Sequence, residues 1–253
     1  MTGYVLLVLW GLCGAALIYY LITGFDQDFF TRYAPRLLSG FWVTVQLVTI
    51  SIVIGGVIAF PVALARISPN RLLSSLAFGY IYLFRGTPLL AQVFLVYYGA
   101  GQFRAELESI GLWWFFREAY YCALFTFSLN TSGYQAEILR GAIQSVPRGQ
   151  WEGAHALGLH NAVTFFKVIL PQAFIIALRP LGNEIIFMIK GSAIASIITV
   201  FDLMGQTRLA FSRSFEFQVY IWAALIYLFI VEVLRRIWDR LEAVLTKHLK
   251  PMS

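Results

Sequence analysis

The sequence predicts an all-α, polytopic membrane bundle with about six transmembrane helices. Long charge-free runs, a low content of charged residues and an excess of basic residues support this fold class. Apolar residues make up 59% of the 253-residue chain and charged residues only 13%, whereas soluble domains average about 45–50% and about 25%. The net charge of +6 fits basic loops on one side of a membrane better than nucleic-acid binding.

Six runs are long and apolar enough to cross a bilayer, which takes about 20 mainly apolar residues. They are residues 5–25, 37–65, 72–102, 119–136, 172–201 and 217–234. The third run contains one charged residue, Arg85. The fifth contains Arg179, Glu184 and Lys190, so it is the most polar of the six.

The first run, within residues 1–25, is expected to be an additional N-terminal transmembrane helix. It lacks a basic segment at its start, no A-x-A site precedes Asp26, and it is longer than the roughly 7–15 apolar residues of a signal peptide. A cleaved signal peptide is the alternative.

Basic residues predict that both termini lie in the cytoplasm. In that orientation ten Lys and Arg residues lie on the inner side and six on the outer side. The outer loops also carry acidic residues, among them Asp202, and are nearly neutral. The inner set is Arg66, Arg71, Arg140, Arg148, Lys167, Arg235, Arg236, Arg240, Lys247 and Lys250.

Neither metal binding nor catalysis is expected from this chain. Cys13 and Cys122 each lie in an apolar run, and the three histidines do not form a ligand set. The chain has no G-x-x-x-x-G-K-[ST] motif, so it is not expected to bind ATP through a P-loop.

The longest inner connection, residues 137–171, is too long for a simple turn. Pro147 can start a helix and Gly158 can end one, which predicts a short helix over residues 148–157.

Side chains on this short helix suit contact with another protein. Glu152 lies near the positive end of the helix dipole, and Gly153 and Ala154 are small enough for close approach. The alternative is an amphipathic helix on the bilayer, although its apolar face is small for that role.

The same segment resembles the EAA signature of ABC importer permeases. That signature has an acidic residue, two small residues, a glycine four positions later, and I-x-L-P further on. Here these are Glu152, Gly153, Ala154, Gly158 and Val168-Ile169-Leu170-Pro171. Gly153 replaces the first alanine and Val168 the isoleucine. The resemblance implies that Glu152, Gly153, Ala154, Gly158 and Pro171 couple the chain to an ATPase.

Three further stretches resemble the polar-amino-acid subfamily. They are Arg85-Gly86-Thr87-Pro88-Leu89, the run from Asn130 through Tyr134 to Glu137-Ile138, and Asn183-Glu184. The similarity covers residues 33–249 and is closest to M-type subunits of histidine, arginine, ornithine and opine importers.

This resemblance implies a five-helix core in residues 33–249, with coupling loop 137–171, in the bacterial inner membrane. It implies import of polar, mainly basic, amino acids or opines by alternating access, with neutral or acidic amino acids as the alternative. The implied partners are a second permease in a heterodimer, a periplasmic substrate-binding protein, membrane lipid, and an ATPase dimer that holds ATP and Mg²⁺. No cofactor is implied for this chain.

Charged residues within spans are costly and mark functional sites. Glu184 is the main candidate for contact with the ammonium or side-chain cation of a substrate, because six positions place Lys190 about 120° away around the helix. Arg85 is expected either to line the substrate path or to bond carbonyls that Pro88 frees. A structural ion pair is the alternative for Glu184.

Asn183, Thr87, Asn130 and Tyr134 are further candidates for the substrate path. The alternative for each is a hydrogen bond between helices.

Two other classes of membrane protein are less consistent with the sequence. An ion-driven secondary transporter often shows inverted repeats, and none is visible. A non-transporting anchor would not need Arg85, Glu184 and Lys190 within its spans.

Overall fold

The computed structural model describes residues 2–24 and 26–247, with side chains from residue 4 onward, and every regular element in these ranges is a helix. Met1, Phe25 and residues 248–253 lie outside the described residues. The predicted end of the first span at Phe25 and the inner-side Lys250 therefore lie there too.

Twelve α-helices follow one another in the described ranges. They are α1 (Thr2–Thr23), α2 (Gln27–Ile67), α3 (Arg71–Gly86), α4 (Leu89–Gln102), α5 (Arg104–Ser109), α6 (Trp113–Phe116), α7 (Ala119–Ser145), α8 (Arg148–Ala156), α9 (Asn161–Val163), α10 (Leu170–Gly191), α11 (Leu203–Ser214) and α12 (Gln218–Leu245). A π-helical segment, Thr164–Ile169, precedes α10, and a 3₁₀ segment, Ser192–Ile198, follows it.

The helices account for the predicted bundle of spans. Within the described residues four stretches are long and apolar enough to cross a membrane: Tyr4–Thr23, Gln27–Ile67, Asn161–Ile198 and Gln218–Leu245. The bent pair α3 and α4, counted as one span, makes five. The predicted span at 119–136 lies within α7. The all-α membrane bundle is confirmed; α7 is not among the four stretches, because its composition is less apolar than theirs.

Two predicted spans differ in extent from the helices observed. Helix α2 begins ten residues before residue 37, because Asp26 caps it by accepting hydrogen bonds from the N–H groups of Asp28 and Phe29. The run 72–102 is broken after Gly86, and α3 and α4 meet at 100°. Proline at position 88 cannot continue a helix without losing a hydrogen bond and clashing with the preceding turn.

Helix α7 lies at the centre of the bundle and packs against α2, α3, α4 and α10. Fourteen of its 27 residues are buried. Gly55 of α2 allows close approach, because a Cβ there would lie 2.4 Å from Cγ2 of Thr131. The side-chain amide of Gln135 donates to the carbonyl of Ile52 at 3.1 Å. Helix α7 therefore supplies polar contacts where a lipid-facing helix would be apolar.

Asp202, which was counted among the acidic residues of the outer loops, does not lie in solvent. Its side chain is fully buried, and its Oδ1 accepts a hydrogen bond from the N–H of Gly205 at 2.8 Å. It caps α11 instead of standing in solvent.

Helix α1 makes little contact with the rest of the chain. In the described residues its apolar stretch Tyr4–Thr23 buries no side chain. Beyond it, the amide of Gln218 donates to the carbonyl of Gly24. The apolar surface of α1 therefore suits a lipid environment.

Replacement of Gly55 by alanine should destabilise the bundle, because overpacking typically costs about 1–3 kcal/mol. Gly79→Ala is the matched control, since nothing lies within 4 Å of a Cβ there. Thermal unfolding of the purified chain, followed by tryptophan fluorescence, should give a lower Tm for Gly55→Ala only. Equal Tm values for the two variants would contradict close packing of α2 on α7.

Candidate functional site

A cavity of about 740 Å³ lies where the α3–α4 break meets α7 and α10. Its wall includes all six predicted substrate-path residues: Arg85, Thr87, Asn130, Tyr134, Asn183 and Glu184. These residues come from three separate segments of the sequence, so the fold alone brings them together. A cavity of this size lies within the roughly 300–1,000 Å³ of small-molecule sites.

Glu184 is the buried acidic group of the cavity. Its side chain is 8% exposed, and its Oε1 accepts a hydrogen bond from the hydroxyl of Thr131 at 2.9 Å. Lys190, on the same helix, is exposed. Among the described residues, the Glu184 carboxylate forms no ion pair within 4.0 Å. The carboxylate is thus partnered by a neutral hydroxyl on α7 and faces an open volume.

The rim of the cavity is open at the surface of this chain. Asn183 is exposed beside the buried Glu184, and Phe187, one turn later on α10, is 68% exposed. Both line the cavity. The cavity is therefore a groove in this chain, with its acidic group at depth and an amide and an aromatic ring at its edge.

The helix break is held open by Gln92 and Asn130. The amide of Gln92 donates to the carbonyls of Phe84 at 3.0 Å and Thr87 at 3.2 Å. The amide of Asn130 donates to the carbonyl of Phe84 and to Oε1 of Gln92, both at 3.0 Å. These bonds satisfy the carbonyls that the break frees. Gln92 and Asn130 thus perform the packing role that was the alternative for Arg85.

Thr87 completes this network at the C-terminal end of α3. Its hydroxyl donates to the carbonyl of Leu83 at 2.7 Å and accepts from Gln92 at 2.7 Å. Thr87 and Asn130 therefore line the cavity while their polar groups also hold the break.

Arg85 points from the break toward α7. Its guanidinium carbon lies 5.4 Å from the ring centroid of Tyr134, and its Nη1 lies 3.8 Å from Oε1 of Glu137. The hydroxyl of Tyr134 donates to the backbone carbonyl of Arg85 at 3.4 Å. Arg85 is thus positioned by a cation–π contact and a long ion pair.

The predicted short helix in the loop is confirmed as α8, which begins at Arg148 and ends at Ala156. Gly158 has φ +74°, a conformation that suits glycine. The N–H of Gly158 donates to the carbonyl of His155 at 2.9 Å, and that of Leu159 to Ala154 at 3.1 Å. These two bonds form a Schellman motif, which stops the helix.

One face of α8 is anchored and the other is exposed. Ala154 is buried, and the Trp151 ring lies 6.4 Å from that of Phe165. Glu152 and Gly153 are exposed. The helix therefore presents an acidic residue and a small residue on the surface of the chain.

Pro171 and the cavity lie at separate places. Pro171 is exposed in the first turn of α10, directly after the π-helical segment. None of the five predicted coupling residues lines the cavity. The chain thus carries two separate candidate sites.

Two side chains that support the cavity, Gln92 and Thr131, were not predicted from the sequence. Gln92 follows Pro88 by one helical turn, and this spacing is a usable signal for a side chain that folds back on a break. Thr131 lies beside the candidate Asn130, but its bond to Glu184 depends on how α7 and α10 meet.

Residues 51–247 match the family described as binding-protein-dependent transport system inner membrane component. The chain belongs to this family. It is therefore a transport component of the inner membrane and not an enzyme, and it works with a separate ATPase and a substrate-binding protein.

Curated relatives of this permease are similar along most of their length. The nopaline transport system permease protein NocM of Agrobacterium fabrum is 44% identical over 217 residues, 85% of this chain and 90% of the relative. The octopine transport system permease protein OccM of Rhizobium radiobacter is 39% identical, covering 86% and 89%. The arginine ABC transporter permease protein ArtM of Escherichia coli K12 is 35% identical, covering 78% and 88%.

Solved structures support the same fold for this permease. A chain of an amino acid ABC transporter crystallised with histidines aligns with a TM-score of 0.76 at 34% identity, covering 86% of this chain and 98% of that one. A chain of the MetNI methionine ABC transporter in an inward-facing conformation aligns with a TM-score of 0.69 at 19% identity, covering 83% and 96%.

Replacement of Gln92 by alanine should destabilise the helix break, because it removes the side-chain donor to the Thr87 carbonyl and one of the two side-chain donors to the Phe84 carbonyl. A typical hydrogen bond within a protein contributes about 0.5–1.5 kcal/mol. Gln102→Ala is the matched control, since Gln102 is exposed at the end of α4. The Tm of the purified chain should fall for Gln92→Ala alone. A Gln92→Ala variant as stable as the control would show that the break does not depend on this amide.

Proposed function

We propose that this permease translocates polar, mainly cationic, amino acids or opines in an ATP-driven importer that works by alternating access. The observation that carries the proposal is the buried carboxylate of Glu184, which faces a cavity of about 740 Å³ with a hydroxyl as its hydrogen-bond partner. The named substrates of the relatives NocM, OccM and ArtM agree with it.

Electrostatics favours a cationic group at Glu184. An ionised carboxylate is costly within the membrane unless a cation or several donors stabilise it. A substrate ammonium or guanidinium supplies a charge-assisted hydrogen bond, which is roughly twice as strong as a neutral one. Asn183 and Tyr134 add neutral polar groups to the same wall, where they suit the remaining polar atoms of an amino acid.

The open groove fits assembly with a second permease in a heterodimer. Asn183 and Phe187 are exposed at its rim, and a second subunit would close the groove into a pathway. In this assembly residues 33–249 form the transport core and residues 1–25 an additional helix. A pair of ATPase subunits binds ATP and Mg²⁺.

Helix α8 is the proposed contact with the ATPase. One face of α8 packs against the bundle through Ala154 and Trp151, while Glu152 and Gly153 are exposed. Such a helix can transmit a rigid-body movement of a partner to the helices beside it. Pro171 lies in the first turn of the helix that carries Glu184, and this helix links the ATPase contact to the cavity.

Replacement of Glu184 by glutamine should raise the transport KM about tenfold or more for arginine and less for glutamine, because a charge-assisted hydrogen bond contributes roughly 1.5–3 kcal/mol. Uptake is measured with the complete complex in proteoliposomes at saturating binding protein. Glu106→Gln, an exposed residue of α5, is the control. An unchanged KM for every transported substrate would contradict substrate contact, as would an equal loss of transport for all substrates. Either result would mean that Glu184 serves only helix packing.

Replacement of Gly158 by leucine should uncouple ATP hydrolysis from uptake. The amount of substrate taken up per ATP hydrolysed should fall by about tenfold or more. A left-handed conformation costs a side chain about 1–2 kcal/mol, so the end of α8 must shift. Gly158→Asn is the control, because asparagine tolerates this conformation. Normal uptake with normal substrate-stimulated hydrolysis in Gly158→Leu would contradict the coupling role.

Gly153→Leu separates surface contact from helix geometry. Nothing lies within 4 Å of a Cβ at Gly153, so leucine fits within this chain. Weaker copurification of the ATPase with Gly153→Leu therefore reports a partner surface, and undiminished copurification contradicts it.

Both chain ends are proposed to lie in the cytoplasm. In a Cys13→Ser, Cys122→Ser background, single cysteines placed after Met1 and after Lys250 should resist a membrane-impermeant maleimide in intact cells. They should react in inverted vesicles. Labelling of either site from outside would contradict that half of the topology.

A further inference from the structure

A second, smaller cavity adjoins the first at Arg85. The smaller cavity has a volume of about 370 Å³ and includes Arg66 and Glu137 in its wall. Arg85, Gly86 and Tyr134 line both cavities. The side chains of Arg85 and Tyr134 therefore lie between the space that contains Glu184 and the space that contains Glu137.

The smaller cavity lies toward the end of the bundle where α8 is found. Arg66 is in the last turn of α2, and Glu137 is about two turns before the end of α7, which leads directly into α8. A solute that moves from the larger cavity toward α8 along this side passes Arg85.

The contacts of the Arg85 guanidinium are loose. It is 41% exposed, and its nearest carboxylate oxygen, on Glu137, is 3.8 Å away. Among residues 2–24 and 26–247, the guanidinium donates no hydrogen bond shorter than 3.5 Å. Arginine carries several N–H donors in a planar fork that matches a carboxylate. In this structure those donors are available to a ligand.

Glu137 does not depend on Arg85 for its charge balance. Arg140 donates to both oxygens of Glu137, at 2.9 Å and 2.6 Å. Arg66 lines the same small cavity as Glu137. With one carboxylate and three guanidinium groups the region has excess positive charge, so Arg85 can leave without exposing an unpaired anion.

Arg85 also lines the larger cavity together with Glu184. The tyrosine beside it is held independently, since the Tyr134 hydroxyl bonds the backbone carbonyl of residue 85 and not the guanidinium. The guanidinium is thus a cation between two carboxylates, tightly paired with neither, on a flexible side chain next to a fixed ring.

We propose that Arg85 is a switching side chain: its guanidinium pairs with the α-carboxylate of the amino acid in the larger cavity and returns to Glu137 when the substrate leaves. The inference rests on the proposed function, since every amino acid carries this carboxylate. Glu184 takes the cationic end of the substrate and Arg85 the anionic end. The Arg85 side chain lies between the two cavities, so the boundary between them changes when its guanidinium leaves Glu137 and when it returns.

The test compares an amino acid with its α-amide, which lacks the anionic carboxylate. Permease–ATPase complex without binding protein is placed in nanodiscs, and the Kd values of arginine and argininamide are measured by titration calorimetry. Wild type should bind arginine about tenfold or more tightly than argininamide. Arg85→Gln should weaken arginine to the level of argininamide, and Arg85→Lys should keep part of the difference.

Equal binding of arginine and argininamide by wild type would overturn the inference, as would an undiminished preference in Arg85→Gln. Failure of the proposed function gives another result, because no arginine binding would then be seen in wild type. Glutamine and glutaminamide, titrated in parallel, test Arg85 in the same way if the permease takes neutral substrates.

Glu137→Gln provides a second test that leaves Arg85 in place. Without the anion that competes for Arg85, arginine should bind a few-fold more tightly, while argininamide should be unchanged. Glu242→Gln is the control, because it breaks the ion pair with Arg179, 2.6 Å long, on another part of the chain. An unchanged or weaker affinity for arginine in Glu137→Gln would overturn the switch.

Discussion

The architecture of this permease depends on one row of polar side chains on α7. Within six residues this helix bonds every neighbour that forms the cavity. The bonds run from Asn130 to Phe84 and Gln92, from Thr131 to Glu184, from Ser132 to Tyr80 and from Gln135 to Ile52. In a membrane, burial of apolar surface does not drive helices together as it does in water, so close packing and such bonds determine how they meet. The row therefore fixes the positions of α2, the α3–α4 break and α10 relative to one another.

The same helix connects the two candidate sites. Its far end, through Ala142 and Ile143, belongs to a buried cluster that also includes Ile169, directly before α10, and Ala173 in the first turn of α10. Trp151 of α8 packs against this cluster. Because packed interiors transmit displacement with little compression, a shift of α8 must move α7 or α10. These two helices carry Tyr134 and Glu184, so the proposed ATPase contact and the proposed substrate contact share a mechanical frame.

The parts of the fold predicted from sequence are those that local chemistry determines. The apolar runs predicted the spans, and Pro147 with Gly158 predicted α8, since each acts within one turn. Arg85 and Glu184 were predicted because charges within spans are costly, and the neutral cavity residues were predicted from the resembled motifs. No local pattern places positions 85, 130 and 184 together. The burial of Asp202 and the contribution of Gln92 to the break were missed. Both depend on tertiary contacts, such as the approach of Gln92 to Thr87 across a 100° bend. The sequence alone does not reveal whether the Asp202 carboxylate is stabilised by capping a helix or by solvent.

The central claim, that α7 positions Glu184 for the substrate, is tested most directly by a double-mutant cycle with Thr131→Val and Glu184→Gln. The measured quantity is the Kd of arginine for the permease–ATPase complex. Thr131→Val alone should weaken arginine binding several-fold. In a chain that already carries Glu184→Gln, it should have no further effect, because the hydroxyl and the carboxylate act as a unit. Thr126→Val, whose hydroxyl bonds the carbonyl of Cys122 within α7, should combine additively with Glu184→Gln. Additive effects of Thr131→Val and Glu184→Gln would contradict the account.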